Sequence, residues 1–252
     1  MSIRIRVSDA DEPVTFPTQM AAGRISRDAV PEYDRLIAWL LVAGEGGPFV
    51  LAVTSSVSGE GVSTVCADLA MSLARSTSKK IVLVDANLKA PRLHELFGLS
   101  SSPGLHEYVV GNEDRQQDAP GRGSTGRGEP SSGEDPAVQG RAARRVLAPL
   151  DLHSTGLPNL AVVPGGAATS EHGRLTTSGA LKTALQRLRK RCGYVIIDCP
   201  PVLSAAETPW LCRLADGVAI VVRAGVTPRD EVKRAQRSLE DAPVIGVVLN
   251  GV

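Results

Sequence analysis

The sequence predicts a doubly wound α/β fold around a mostly parallel sheet. Three observations predict it. Short, continuously apolar runs alternate with segments of helical period, the pattern of strands buried on both faces by crossover helices. A loop of small residues, 54–61, joins the first of these runs to a long helical pattern. Two later runs end on an acidic residue, Asp85 and Asp198, and in such sheets ligands gather at the C-terminal ends of the strands.

Taken in order, residues 1–30 are polar, contain Pro13 and Pro17 and show no sustained period, so they are read as a flexible tail. From residue 31 a single domain is expected to run to 252. Tyr33, Leu36, Ile37, Leu40 and Leu41 fall at helical spacings, and the glycine-rich stretch 44–48 ends that helix. A first core strand follows at 49–53. Val65, Leu69 and Leu73 then share one helical face. The run 80–85 is a second strand, with a short helix over 91–97. The segment 112–145 is rich in Gly, Pro, Ser, Arg and acids, and Val138 is its only large apolar residue. Too little apolar surface remains there to offset its ordering entropy, and a disordered insert is expected. A third strand is predicted at 160–163 and a helix over 178–191. That helix carries Leu181, Leu185 and Leu188 on one face and Lys182, Arg187, Arg189, Lys190 and Arg191 on the other, read as a solvated surface. Strands at 194–198, 218–222 and 244–249 complete the pattern, with a helix near 205–214. A last helix follows Thr227, whose hydroxyl is its expected cap, with Pro228 at its first position.

Composition bounds the function. The chain has 252 residues and a formal net charge of +1, enough for one ordinary core and no case for bulk nucleic-acid or membrane binding. Cys66, Cys192, Cys199 and Cys212 form no C-x-x-C pair and lie mostly in apolar segments, so buried reduced thiols are expected. No apolar run approaches the ~20 residues of a membrane span. The expectation is a cytoplasmic protein, brought to the inner face of the cell membrane by a partner.

The chemistry centres on TSSVSGEGVST, 54–64. Strand, glycine loop and helix are the layout of a phosphate cradle. Gly59 and Gly61 let the backbone curl so that N–H groups face an anion, and the next helix adds the positive end of its dipole. Ser58, Glu60 and Thr64 complete the candidate nucleotide loop. Ser63 supplies a hydroxyl for Mg²⁺, and Asp85 and Asp198 supply hard carboxylate oxygens for the same ion. One position departs from a working loop: Val62 stands where a lysine would meet the β and γ phosphates, and valine offers neither charge nor donor.

These motifs resemble those of the bacterial tyrosine kinases (BY-kinases), the autokinases of capsule and exopolysaccharide assembly. The resemblance covers nearly everything from 31 to 252 apart from the insert. VLVDANLK followed by PRLHELFG is similar to the family's second acidic motif, and IIDCPPVL to its third. ADGVAIVVRAGVTPRDEV and VIGVVLNGV are similar as well. The resemblance implies a P-loop NTPase-like fold of the ParA/MinD-related kind, ATP or ADP with Mg²⁺ as ligands, Asp85 as a catalytic carboxylate and Asn250 facing adenine. Glu32 and Arg35 match the family's ring-assembly motif, but Ala38 replaces its last arginine, so self-assembly is expected to be weak. Asn87 replaces the second aspartate. Lys89 replaces an arginine and is a candidate substitute cation. The tyrosines are Tyr33, Tyr108 and Tyr194, without the family's tyrosine cluster.

The leading expectation is a degenerate kinase-like protein, partner to a membrane polysaccharide copolymerase (chain-length protein) or to an active kinase. A still-active tyrosine kinase or ATPase of the same pathway is the alternative. A ParA/MinD-like positioning ATPase stands third, because that group carries an extra lysine where this chain has Val57.

Overall fold

Apolar runs buried from both sides make the centre of the sheet. The computed structural model describes residues 2–7, 14–17, 34–117, 150–169 and 179–251. In chain order the elements are β1 Ser2–Val7, β2 Val14–Pro17, α1 Asp34–Ala43, β3 Phe49–Ser55, α2 Val62–Ser76 and β4 Ile81–Asp85. Then come α3 Leu93–Phe97, α4 Leu105–Gln117, β5 His153–Ser154, β6 Leu160–Val163 and α5 Gly179–Arg189. The last are β7 Tyr194–Asp198, α6 Thr208–Cys212, β8 Gly217–Arg223, α7 Arg229–Ser238 and β9 Val244–Asn250.

The strands form one nine-stranded sheet in the order β2-β1-β9-β8-β3-β7-β4-β6-β5. From β9 to β6 every pairing is parallel, and the antiparallel pairings are at the two edges. The predicted doubly wound, mostly parallel architecture is what the structure shows. Period two along each strand divides the core into two layers. Val50 and Ala52 of β3 face one layer, against α4, α5, α6 and α7. Leu51 and Val53 face the other, against α1, α2 and α3. All four cysteines are buried free thiols. No helix among the described residues is long and apolar enough to cross a membrane.

Several expectations change. The stretch read as a tail contributes β1 and β2, an antiparallel pair that joins the sheet along β9. Ile3, Ile5 and Val7 alternate with Arg4 and Arg6, a period-two signal that the polar composition around it hid. The insert does not begin at 112: α4 runs through Gln117, with Leu105, Tyr108, Val109 and Asn112 buried. Residues 118–145, and the tail outside its strands, lie outside the described residues. Several predicted helices are shorter than expected, α3 beginning at Leu93, α5 spanning Gly179–Arg189 and α6 Thr208–Cys212. The basic residues Lys182, Arg187, Lys190 and Arg191 are exposed, as expected, and Arg189 of α5 pairs with Asp216 at 2.8 Å. Thr227 does not cap α7. Pro228 is the N-cap residue, and the helix has no side-chain cap hydrogen bond among the described residues.

Candidate nucleotide site

The loop after β3 is shaped by two glycines and one carboxylate. Gly59 and Gly61 have φ of 85° and 88°. Gly61 is the residue before α2, in a left-handed conformation that suits glycine. A Cβ at Gly61 would also run into the side-chain amide of Asn250. Glu60 turns inward and is buried. Its Oε2 accepts the Ser56 and Val57 N–H groups at 2.8 and 3.1 Å. Its Oε1 accepts the Arg223 N–H at 3.3 Å and the Thr227 hydroxyl. This is where the Thr227 hydroxyl goes instead of capping α7: it ties the end of β8 to the loop. Asn250 donates from Nδ2 to the Glu60 carbonyl at 2.8 Å. Asn250 therefore braces the loop and is not on the cavity wall, where the resemblance implied contact with a base.

Residues 58–64 form one wall of a cavity of about 530 Å³, within the usual range for small-molecule sites. Asn87, Lys89, Ala90 and Arg92, between β4 and α3, form a second wall. Residues 198–201, after β7, form a third. Hydrogen bonds knit the third wall to the first. Thr54 and Thr208 both donate to the Pro200 carbonyl, at 2.7 and 3.1 Å, and the Val202 N–H donates to the Ser55 carbonyl at 2.8 Å. Val62 opens α2, lines the cavity and packs in part against the apolar layer of α1, α2 and α3.

The two strand-end carboxylates are neighbours in register on β4 and β7 and are both buried. Asp85 is off the cavity wall. Its Oδ1 accepts the Asn87 N–H at 3.2 Å, and its Oδ2 accepts the Arg92 and Leu93 N–H groups at 2.9 and 3.0 Å. It thus organises the turn into α3. Burial pushes its carboxyl up to about 6, against the pull of those three N–H groups. Asp198 is on the wall, and neither of its oxygens has a hydrogen-bond partner of good geometry among the described residues. Burial, then the charge of Asp85, hold its carboxyl well above the usual range, while the nearby Ser63 hydroxyl acts the other way. An orphaned buried carboxylate beside a hydroxyl, on the wall of a glycine-loop cavity, is a donor set that fits Mg²⁺ with a phosphate.

The structure thus brings 58–64 and Asp198 to one cavity, and neither Asp85 nor Asn250 lines it. Arg92 was missed in the sequence. Its signal was a cation in the loop at the C-terminal end of a parallel strand. The bracing by Glu60 left no local signal, because Thr227 and Arg223 are distant in sequence.

Strand, glycine loop, helix and strand-end acids in this order define a domain of the P-loop NTPase type. No family model matches the chain. Its relatives include bacterial tyrosine-protein kinases, as the motifs implied. It is 26% identical over 201 residues to the tyrosine-protein kinase YwqD of Bacillus subtilis, covering 79% of this chain and 70% of that protein. It is 26% identical over 206 residues to the succinoglycan biosynthesis transport protein ExoP of Rhizobium meliloti, covering 80% of this chain but 22% of that one. Among solved structures, the kinase domain of the Escherichia coli tyrosine kinase ETK superposes with a TM-score of 0.68 at 21% identity, over 91% of this chain and 83% of that. The septum site-determining protein MinD of Pyrococcus horikoshii, complexed with Mg-ADP, gives 0.54 at 18% identity, over 79% of this chain and 69% of that. The chain is thus similar in sequence to bacterial tyrosine-protein kinases, and its fold is shared with their kinase domains and with MinD.

Proposed function

We propose that the chain is a kinase-related subunit of bacterial capsule or exopolysaccharide assembly in which nucleotide binding has outlasted phosphoryl transfer. It acts as the regulatory or structural partner of a membrane polysaccharide copolymerase or of an active tyrosine kinase. The observation that carries this is Val62 at the head of α2. The backbone cradle keeps its glycines and its helix start, while the side chain meant for phosphate charge is apolar and packs partly into the core. Losing one preorganised donor to developing charge costs about 2.7–4 kcal/mol of transition-state stabilisation. Backbone N–H groups at a helix start still attract a phosphate in the ground state. Ser63 and Asp198 would hold Mg²⁺, which supplies countercharge to the phosphates. The described tyrosines, Tyr108 and Tyr194, are buried in the core and unsuited as phosphate acceptors. The kinase relatives and the succinoglycan-transport relative support the pathway.

The test is a Mg·ATP and Mg·ADP titration beside a radiolabel turnover assay. Weak binding without hydrolysis or tyrosine phosphorylation above background is expected. Robust wild-type turnover that disappears in Asp198→Ala would overturn the degenerate reading. The alternative, an active kinase or ATPase, draws on the unpartnered Asp198 beside Ser63. A positioning ATPase ranks behind both, since the likeness to MinD is one of fold and Val57 takes the place of that group's extra lysine.

A further inference from the structure

Val62 leaves the phosphate loop without a cation of its own, yet the opposite wall of the same cavity carries two. Lys89 and Arg92 both line it, from the short connection between β4 and α3. The backbone that bears Arg92 is firmly seated. Its N–H and that of Leu93 both bond to Asp85 Oδ2, at 2.9 and 3.0 Å, and Asp85 is fully buried at the end of a central strand. The charged end is loosely held. Arg92 Nε meets Glu95 Oε2 at 3.6 Å, with the two side chains 67% and 58% exposed. Such an exposed pair is worth little and yields readily to a better anion. Lys89 is exposed and makes no ion pair among the described residues. On the loop side no cation lines the cavity, and the third wall adds only the Asp198 carboxyl.

A polyphosphate entering this cavity therefore meets backbone N–H groups on one side and its nearest cations on the other. We infer that Lys89 and Arg92 form the phosphate-charge clamp of this site, holding the polyphosphate of a Mg-bound nucleoside di- or triphosphate from the wall that faces the loop. The inference rests on the nucleotide-binding reading above and says where that ligand's countercharge comes from. Arg92 presents a planar fork that suits two phosphate oxygens, and Lys89 a point charge. Because both heads reach solvent, the clamp is sensitive to salt, unlike a lysine enclosed by its own loop. Glu95 competes with the ligand for Arg92 and tempers affinity.

The experiment is a titration of the full chain with Mg·ADP and Mg·ATP at low and high salt. It compares wild type with Lys89→Ala, Arg92→Ala, Arg92→Lys and Glu95→Gln, with thermal melts to show that each variant folds. Each alanine variant is expected to weaken binding by about ten-fold or more, the scale of one charge-assisted hydrogen bond. Arg92→Lys recovers part of the loss. Glu95→Gln tightens binding by about two- to five-fold, and only while Arg92 is present. A merely structural role for the turn would not produce that opposite sign. Wild-type binding that the Lys89 and Arg92 variants leave unchanged would overturn the clamp and leave the nucleotide reading standing. No binding of either nucleotide by the wild type at millimolar concentration would overturn both.

Discussion

Asp85 and Asp198 stand side by side on β4 and β7, in register and equally buried, and they do opposite things. Asp85 has three backbone N–H partners and no place on the cavity wall. Asp198 has a place on the wall and no partner of good geometry. A buried carboxylate with three N–H partners holds the backbone around it. One left unbonded is a standing cost that the fold retains beside the site. The difference separates what shapes this cavity from what would act in it.

The largest effect should come from reversing the two roles. Asp85→Ala orphans three N–H groups at the entry to α3 and is expected to destabilise the protein by about 2–4 kcal/mol. Asp198→Asn replaces an unbonded buried carboxyl and should leave stability unchanged or raise it, while weakening any Mg²⁺-dependent ligand. Chemical denaturation of both variants checks this, and equal losses would erase the distinction. Val62→Lys sharpens it from the cavity side. A cation returned to the loop should tighten Mg·nucleotide by roughly 1.5–3 kcal/mol and gain less in the Asp198→Asn background. Turnover should remain low even in Val62→Lys with Asn87→Asp, and unchanged affinity would mean that the loop is no phosphate cradle.

The pH dependence carries a definite sign. The Asp85 carboxyl is raised from 3.8 to about 6 in the folded state, and the Asp198 carboxyl is raised too. A raised folded-state pKa contributes stability that is full below the unfolded value and is lost as pH rises through the folded one. Melts between pH 4 and 7 should show the wild type losing ground to Asp198→Asn as pH rises. A gap that narrows instead would contradict the assignment. The smallest effect concerns another of the buried carboxylates. Glu60 is bonded like Asp85, and Thr227→Val removes one of its partners, so a loss of about 1 kcal/mol is expected in the same denaturation series.

Much of this was legible in the sequence because it depends on neighbours along the chain. The runs at 49–53, 80–85, 160–163, 194–198, 218–222 and 244–249 all became strands, since continuous apolar residues can only be buried from two sides. The turn residues at Gly59 and Gly61, and the missing cation at Val62, are local facts of the same kind. The β1–β2 hairpin and α4 were harder to read, their periods overlaid by arginines in one case and by the polar flank of the insert in the other.

Sequence alone determined the doubly wound class, the cradle's backbone and the loss of its lysine, because period, glycine and residue type act within a few positions. Tertiary structure decided which of two like carboxylates bonds to backbone N–H groups and which lines the cavity. It also decided that Asn250 braces the loop, that Thr227 serves Glu60 and that Arg92 faces the cavity. Each of those outcomes depends on groups brought together from distant parts of the chain, and competition for a hydrogen bond or an ion is settled by distance in space.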